Sequence, residues 1–188
     1  HEVFKSVVGY YWYLRLRGYE VDSQTFRTRS FGQQYAVGDK TSDPVKISRL
    51  LMKLCEKTGR RLRKHDYQAS GVALSLAFEN GYWWHKSRRT KSLLYSTQDI
   101  YLHAQRLLSQ VDIPARLTHI DVTVFDVVPA TPVQLGLFDD TRLDTRSLAD
   151  AADLVNDRYG EFTLVPASMA NMQTTIIKRV PFGSVRDI

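Results

Sequence analysis

Two short stretches of this 188-residue chain alternate cations with small hydroxyl residues. Arg27, Arg29 and Ser30 run into Phe31 and Gly32, and Lys86, Arg88 and Arg89 are interleaved with Ser87 and Thr90 before Lys91 and Ser92. Cationic heads supply attraction to a polyanion, and hydroxyls and backbone amides between them fix its position, so the pattern suits a phosphate track. A solvated surface accounts for the composition equally well. A third run, Arg60, Arg61, Arg63 and Lys64, falls at the end of a predicted helix, where cations complement the helix dipole. Tyr82, Trp83 and Trp84 precede the second basic stretch. Exposed rings can stack on bases, but core packing is the reading adopted for at least two of the three.

Signs of a self-contained active site are missing. Five histidines (His1, His65, His85, His103, His119) are scattered without metal-ligand spacing. No glycine-rich phosphate loop occurs. The one cysteine, Cys55, excludes an intramolecular disulfide and sits at an apolar helix position, which favours packing over nucleophilic chemistry. Asp121 and Asp126 are five apart on a predicted strand and so face opposite sides. One further motif stands out: Gln134-Leu135-Gly136-Leu137-Phe138, between Pro132 and Asp139. An apolar pentapeptide with a glutamine head suits docking into a pocket on another protein.

The charge distribution separates these features. The net charge is +6, but residues 1–94 carry 18 Lys and Arg against 8 Asp and Glu, whereas residues 95–188 carry 8 against 12. A basic half joined to an acidic half suggests that one part meets a polyanion and the other does something else. With 43% hydrophobic and 24% charged residues, the composition is that of a globular protein. The absence of a long apolar run or a cleavable leader predicts no membrane partner and a cytoplasmic location. The chain begins at His1, which suggests a piece of a longer protein.

The elements that must hold the basic stretches follow from periodicity. Phe4, Val7, Val8, Tyr11, Trp12 and Leu16 predict the end of a helix closed by Gly18. Residues 19–26 read as a linker and residues 26–37 as a strand. Asp43-Pro44 predicts a helix start, with Ile47, Leu50, Leu51, Leu54, Thr58 and Leu62 on its buried face. Val72, Leu74, Leu76 and Phe78 alternate as a strand, and Asn80-Gly81 predicts a hairpin into the basic strand. Ser96 to Asp99 resembles a capping box before a second helix. Ile120, Val122 and Val124 mark a fourth strand. The order β-α-β-β-α-β over residues 27–128 predicts an α+β domain of ferredoxin-like type, a four-stranded sheet with two helices on one face. Small and polar residues at Ala73, Ser75, Ala77, Asp121 and Thr123 suit an open opposite face. Beyond a linker at 130–132, Leu148, Ala151, Ala152, Val155 and Tyr159 predict an amphipathic helix closed by Gly160, followed by a short strand from Phe162 to Val165.

In that order the motifs resemble the C-terminal part of the bacterial Y-family translesion DNA polymerases, near DNA polymerase IV and the SOS mutagenesis polymerases. Arg17-Gly18 resembles the end of their thumb, and Arg29-Ser30-Phe31-Gly32 the opening of their little-finger domain. Arg60-Arg61-Leu62-Arg63 resembles the end of its first helix, Arg88-Arg89-Thr90 its basic strand, and Gln134 to Phe138 the peptide that docks on the sliding clamp. Asp153 to Gly160 and Pro181-Phe182-Gly183 resemble the tail of many members. Leu117-Thr118-His119 departs from the family, which often has a glycine-containing turn there. The resemblance implies thumb at 1–18, linker at 19–26, little finger at 27–130, and clamp peptide and tail at 131–188. It implies grip on template–primer duplex by Arg27, Arg29, Ser30, Phe31 and Gly32 on one strand and Lys86, Arg88, Arg89 and Thr90 on the other. It implies clamp docking through Gln134, Leu135, Leu137 and Phe138. Mg2+ is implied only for the catalytic palm of the parent polymerase, whose motifs this chain lacks, so the piece should not polymerise DNA alone. An RNA-binding module of ferredoxin-like fold and a protein-interaction adaptor are the alternatives.

Overall fold

The computed structural model describes residues 7–19, 21, 30–130 and 140–170. Helix α1 (Val7–Leu16) ends as its sequence predicts. Gly18 adopts φ 81, with Gly18 N donating to Arg15 O and Tyr19 N to Leu14 O. That pair of bonds is a Schellman closure. No residue of α1 is buried.

The sheet contains β1 (Ser30–Thr41), β2 (Tyr67–Phe78), β3 (Trp83–Leu94) and β4 (Leu117–Pro129). All neighbours are antiparallel, in the order β1-β4-β2-β3. Strand β1 runs four residues beyond its predicted end. The β2–β3 turn is built by Asn80-Gly81: Gly81 takes φ 82, Phe78 N donates to Tyr82 O, and the Asn80 side chain accepts from Tyr82 N. The two sequence-predicted core helices, α2 (Pro44–Lys64) and α3 (Thr97–Leu108), start where local capping dictates. Asp43 accepts from Val45 N at 2.9 Å, and Ser96 accepts from Asp99 N at 3.1 Å.

Both helices lie on one face. Ile47, Leu50, Leu51, Leu54 and Leu62 of α2 and Ile100, Ala104 and Leu107 of α3 meet Val72, Leu74, Leu76, Ile120, Val122 and Val124 in one core. Cys55 is fully buried there, and burial raises its thiol far above the ordinary range, as befits packing.

The tail differs from the sequence prediction in two ways. Phe162 to Val165 forms no strand. Phe162 has φ 69, and the chain turns there toward a 3₁₀ helix, Ala167–Met169. This left-handed turn places the Phe162 ring against Met52 and Met169, with the Lys53 ammonium 4.8 Å above it. The second difference concerns α4 (Asp140–Tyr159). An amphipathic helix ordinarily buries its apolar stripe. Here Leu148 and Tyr159 stay exposed, and the polar side docks. Arg63, buried at the end of α2, donates Nε to Asp153 Oδ2 at 2.6 Å and Nη2 to Asp153 Oδ1 at 3.0 Å. Arg60 donates to Asp157 at 2.8 Å. Tyr95 donates its hydroxyl to Asp150 at 2.6 Å, and burial together with that bond pushes the phenol up to about 12. Arg60 and Arg63 therefore do more than complement the dipole of α2: they hold the tail helix.

Candidate nucleic-acid interface

Strand register makes the open face a grid. Because paired residues on antiparallel strands share a face, the rows from β1 to β3 read Ser30, Phe125, Gly71, Arg89; Gly32, Thr123, Ala73, Ser87; Gln34, Asp121, Ser75, His85; and Ala36, His119, Ala77, Trp83. Ala73, Ser75, Ala77, Asp121 and Thr123 are thus on the helix-free face, as their size and polarity predicted. Glycine is needed at two of these points. A Cβ on Gly32 would lie 2.5 Å from the Thr123 hydroxyl, and one on Gly71 would run into the Phe125 ring.

The described parts of the two motif segments, Ser30 to Gly32 and Lys86 to Thr90, lie on opposite edge strands of the sheet. Ser30 and Arg89 end the same row, three interstrand spacings apart, or about 14 Å. An edge strand leaves alternate backbone N–H groups unpaired, so β1 offers amides where β3 offers cations. Lys86, Ser87, Arg88, Arg89 and Lys91 are all exposed, and β3 contains no acidic residue. Alternation splits the arginines. Arg89 is on the open face, whereas Arg88 registers with Val72 of the core face and lies near His103 and Arg106 of α3. Desolvation, reinforced by those two arginines, holds the His103 imidazole below its ordinary value, which limits the positive charge crowded behind Arg88.

Several predicted site residues have other occupations. The Phe31 side chain is in the core, stacked on His65 at 5.5 Å and beside Tyr67 at 5.7 Å, so only its backbone is available at the edge. The Thr90 hydroxyl donates to Ser92 O at 2.6 Å inside a bulge, where β3 advances five positions, Arg89 to Leu94, while β2 advances two, Gly71 to Ala69. Arg89 Nε donates to Asp126 at 2.8 Å. Asp126 has φ 52, which breaks the strand alternation. Arg27, Arg29 and the pentapeptide residues Gln134, Leu135, Leu137 and Phe138 lie outside the described residues.

The aromatic trio is the opposite of its predicted arrangement. Tyr82 and Trp83 are exposed, and only Trp84 packs against the core. Trp83 and His85 point to the open face because they register with Ala77 and Ser75. Sequence reading missed this pair, although the i, i+2, i+4, i+6 series Trp83, His85, Ser87, Arg89 placed all four on one face. Among the described residues, no three His, Cys, Asp or Glu side chains meet as a metal site requires. Among those residues no helix is long and apolar enough to cross a membrane.

A four-stranded antiparallel sheet backed by two helices, with a basic outer strand, defines an α+β domain; its central strands are β4 and β2, so the ferredoxin-like arrangement expected from the sequence, which centres β1 and β3, is corrected to the order β1-β4-β2-β3. The chain belongs to the impB/mucB/samB family C-terminal domain, whose model matches residues 27–137, more than half of its length. That agrees with the resemblance carried by the motifs to the C-terminal part of a Y-family polymerase. The chain is similar to DNA polymerase IV of Pelotomaculum thermopropionicum, 28% identical over 142 residues, which are 75% of this chain and 35% of that protein. It is also similar to DNA polymerase IV of Clostridium acetobutylicum, 25% identical over 122 residues, 64% of this chain and 31% of that protein. The chain thus spans about a third of the length of the curated relatives it matches. Among solved structures, it is similar to a Y-family DNA polymerase chimera, at 19% identity and TM-score 0.48, covering 66% of this chain and 36% of that one. It is similar too to the little finger domain of PolIV in a complex with the β-clamp processivity factor, at 15% identity and TM-score 0.44, covering 58% of this chain and 98% of that one.

Proposed function

We propose that this chain is the DNA-holding and clamp-docking region of a translesion DNA polymerase. The observation that carries the reading is the basic outer strand. Lys86, Arg88, Arg89 and Lys91 are exposed within six residues of one sheet edge, and the β1 edge lies about 14 Å away. That span is of the order of the roughly 12 Å major groove of duplex DNA. One edge grips the phosphates of one strand and the other edge those of its complement. Family membership and the relatives named DNA polymerase IV support the same partner. Phosphate contacts carry little sequence information, so such a grip tolerates a damaged template base. The test is fluorescence anisotropy with a short template–primer duplex at low salt. Saturable binding is expected, and its absence overturns the reading.

Asp126 tunes the grip. Its ion pair with Arg89 is exposed on both sides, with 77% of the arginine and 45% of the aspartate side chain accessible. Such a pair is worth about 1 kcal/mol or less, and a phosphate must displace the carboxylate. Asp126→Asn preserves a residue type that tolerates positive φ and removes the competitor. Duplex affinity should rise by up to about fivefold, as measured by the same anisotropy titration.

Clamp docking is assigned to the pentapeptide. Leu and Phe side chains would fill an apolar pocket and the Gln134 amide would fix the register. Tethering of this kind raises local concentration for an enzyme that holds DNA only by its backbone. Leu137→Ala with Phe138→Ala should abolish capture of the chain by an immobilised bacterial sliding clamp and leave duplex binding unchanged. Capture that survives both changes removes the pentapeptide from the reading.

A further inference from the structure

We propose that the open sheet face carries a stacking site for one unpaired base of a DNA strand, built on Trp83. This inference rests on the DNA-holding reading above and extends it from phosphates to a base. Trp83 is 62% exposed although it belongs to a regular strand. Its indole lies parallel to the His85 ring, with centroids 5.5 Å apart and planes within 2°. One indole face is thus occupied, and the exposure leaves room for a third ring beyond it. Stacking on an aromatic ring tolerates any base, because every base has a π-face.

The surroundings fit a base better than an apolar partner. Trp83 borders a depression lined by Gln34, Ser75, His119 and Asp121. Those side chains come from all the other strands and occupy the last two rows of the grid. The Gln34 side-chain amide sets a donor beside an acceptor, the pattern that base edges match. Ser75 is bonded to His85 Nδ1 at 2.9 Å, which fixes the ring under the indole. Asp121 is partly desolvated, held by Thr123 at 3.2 Å, and gives the floor a further acceptor. A buried apolar partner would leave these groups without water, whereas a base edge can bond them.

An unpaired base is required because a paired one is covered on both faces by its neighbours. The site is suitably placed for this. Trp83 and Arg89 are six residues apart on one strand, about 20 Å, on the same face. Held duplex and its single-stranded continuation can therefore share the sheet.

The test compares a blunt duplex with the same duplex carrying a short single-stranded overhang, by anisotropy with the whole chain. The wild-type chain should bind the overhang form about fivefold to tenfold more tightly. Trp83→Ala should erase that gain while blunt-duplex affinity and its salt dependence stay unchanged, and Trp83→Phe should retain part of the gain. Three results overturn the site: equal wild-type affinity for both duplexes, a gain that survives Trp83→Ala, or stronger binding of an overhang made of RNA. A wild-type chain that binds neither duplex overturns the phosphate grip itself.

Discussion

Replacing Arg88 and Arg89 together by alanine lowers affinity for a template–primer duplex about thirtyfold at fixed salt. The figure takes about 1 kcal/mol for each solvated, charge-assisted phosphate contact, which two residues convert into roughly 2 kcal/mol. The two arginines point to opposite faces of an edge strand, so neither shields the other from a backbone passing along that edge. Each also releases about 0.9 counterion from duplex DNA, and the slope of log affinity against log salt should fall by about 1.8. The loss should be uniform across sequences, since phosphates carry no base identity. Both side chains are exposed, and the unfolding free energy from urea titration should stay within about 0.5 kcal/mol of the parent value. An unchanged salt slope in the double variant would place the phosphate contacts elsewhere on the molecule.

The second large effect concerns stability. Asp153→Ala should destabilise the docked tail by about 3 kcal/mol, because it leaves the Arg63 guanidinium buried and uncompensated. The Arg63 side chain is only 4% exposed and also donates to Tyr95 O at 3.1 Å, so it cannot swing into water without breaking the start of the α3 region. Asp157→Ala removes a partner that is 71% exposed, and its cost should be near zero. Limited proteolysis gives the local readout: cleavage within α4 should accelerate in the Asp153 variant and not in the Asp157 variant. The combined Arg63→Met and Asp153→Leu replacement should recover most of the loss, since packed apolar residues commonly match a buried ion pair. A cost below about 1 kcal/mol for Asp153→Ala would mean that the pair does not hold α4.

What the sequence discloses depends on how local the determining physics is. Asp43-Pro44, Ser96 and Gly18 mark element ends correctly because a cap needs only its own first or last turn. The sheet alternation from Val72 to Phe78 and from Ile120 to Val124 places every core residue on its face. Local signals fail where the partner is distant. The apolar stripe of α4 predicts burial, but the partners that decide its orientation, Arg60 and Arg63, stand about ninety residues earlier. Phe162 looks like a strand residue until its ring is seen over Lys53 and Met52. Thr90 looks like a phosphate donor until the bulge uses its hydroxyl. Tyr82 and Trp83 look like core because aromatic residues usually are, yet β3 is an edge strand, and edge status follows from topology. The basic stretch on β3 was legible because its charge has no acidic neighbour in sequence; its ion pair with Asp126, 37 residues away, was not.

The claim that matters most is that the two sheet edges hold DNA by its phosphates and not by its bases. A scan with neutral methylphosphonate linkages tests it directly. Single linkages are moved along each strand of one template–primer duplex, and a parallel set carries abasic sites in the template. Affinity should drop at a short cluster of linkages on each strand, facing one another across a groove, and should be nearly indifferent to abasic sites within the paired region. Strong loss at abasic positions of the paired region, with no response to neutral linkages, would contradict the account.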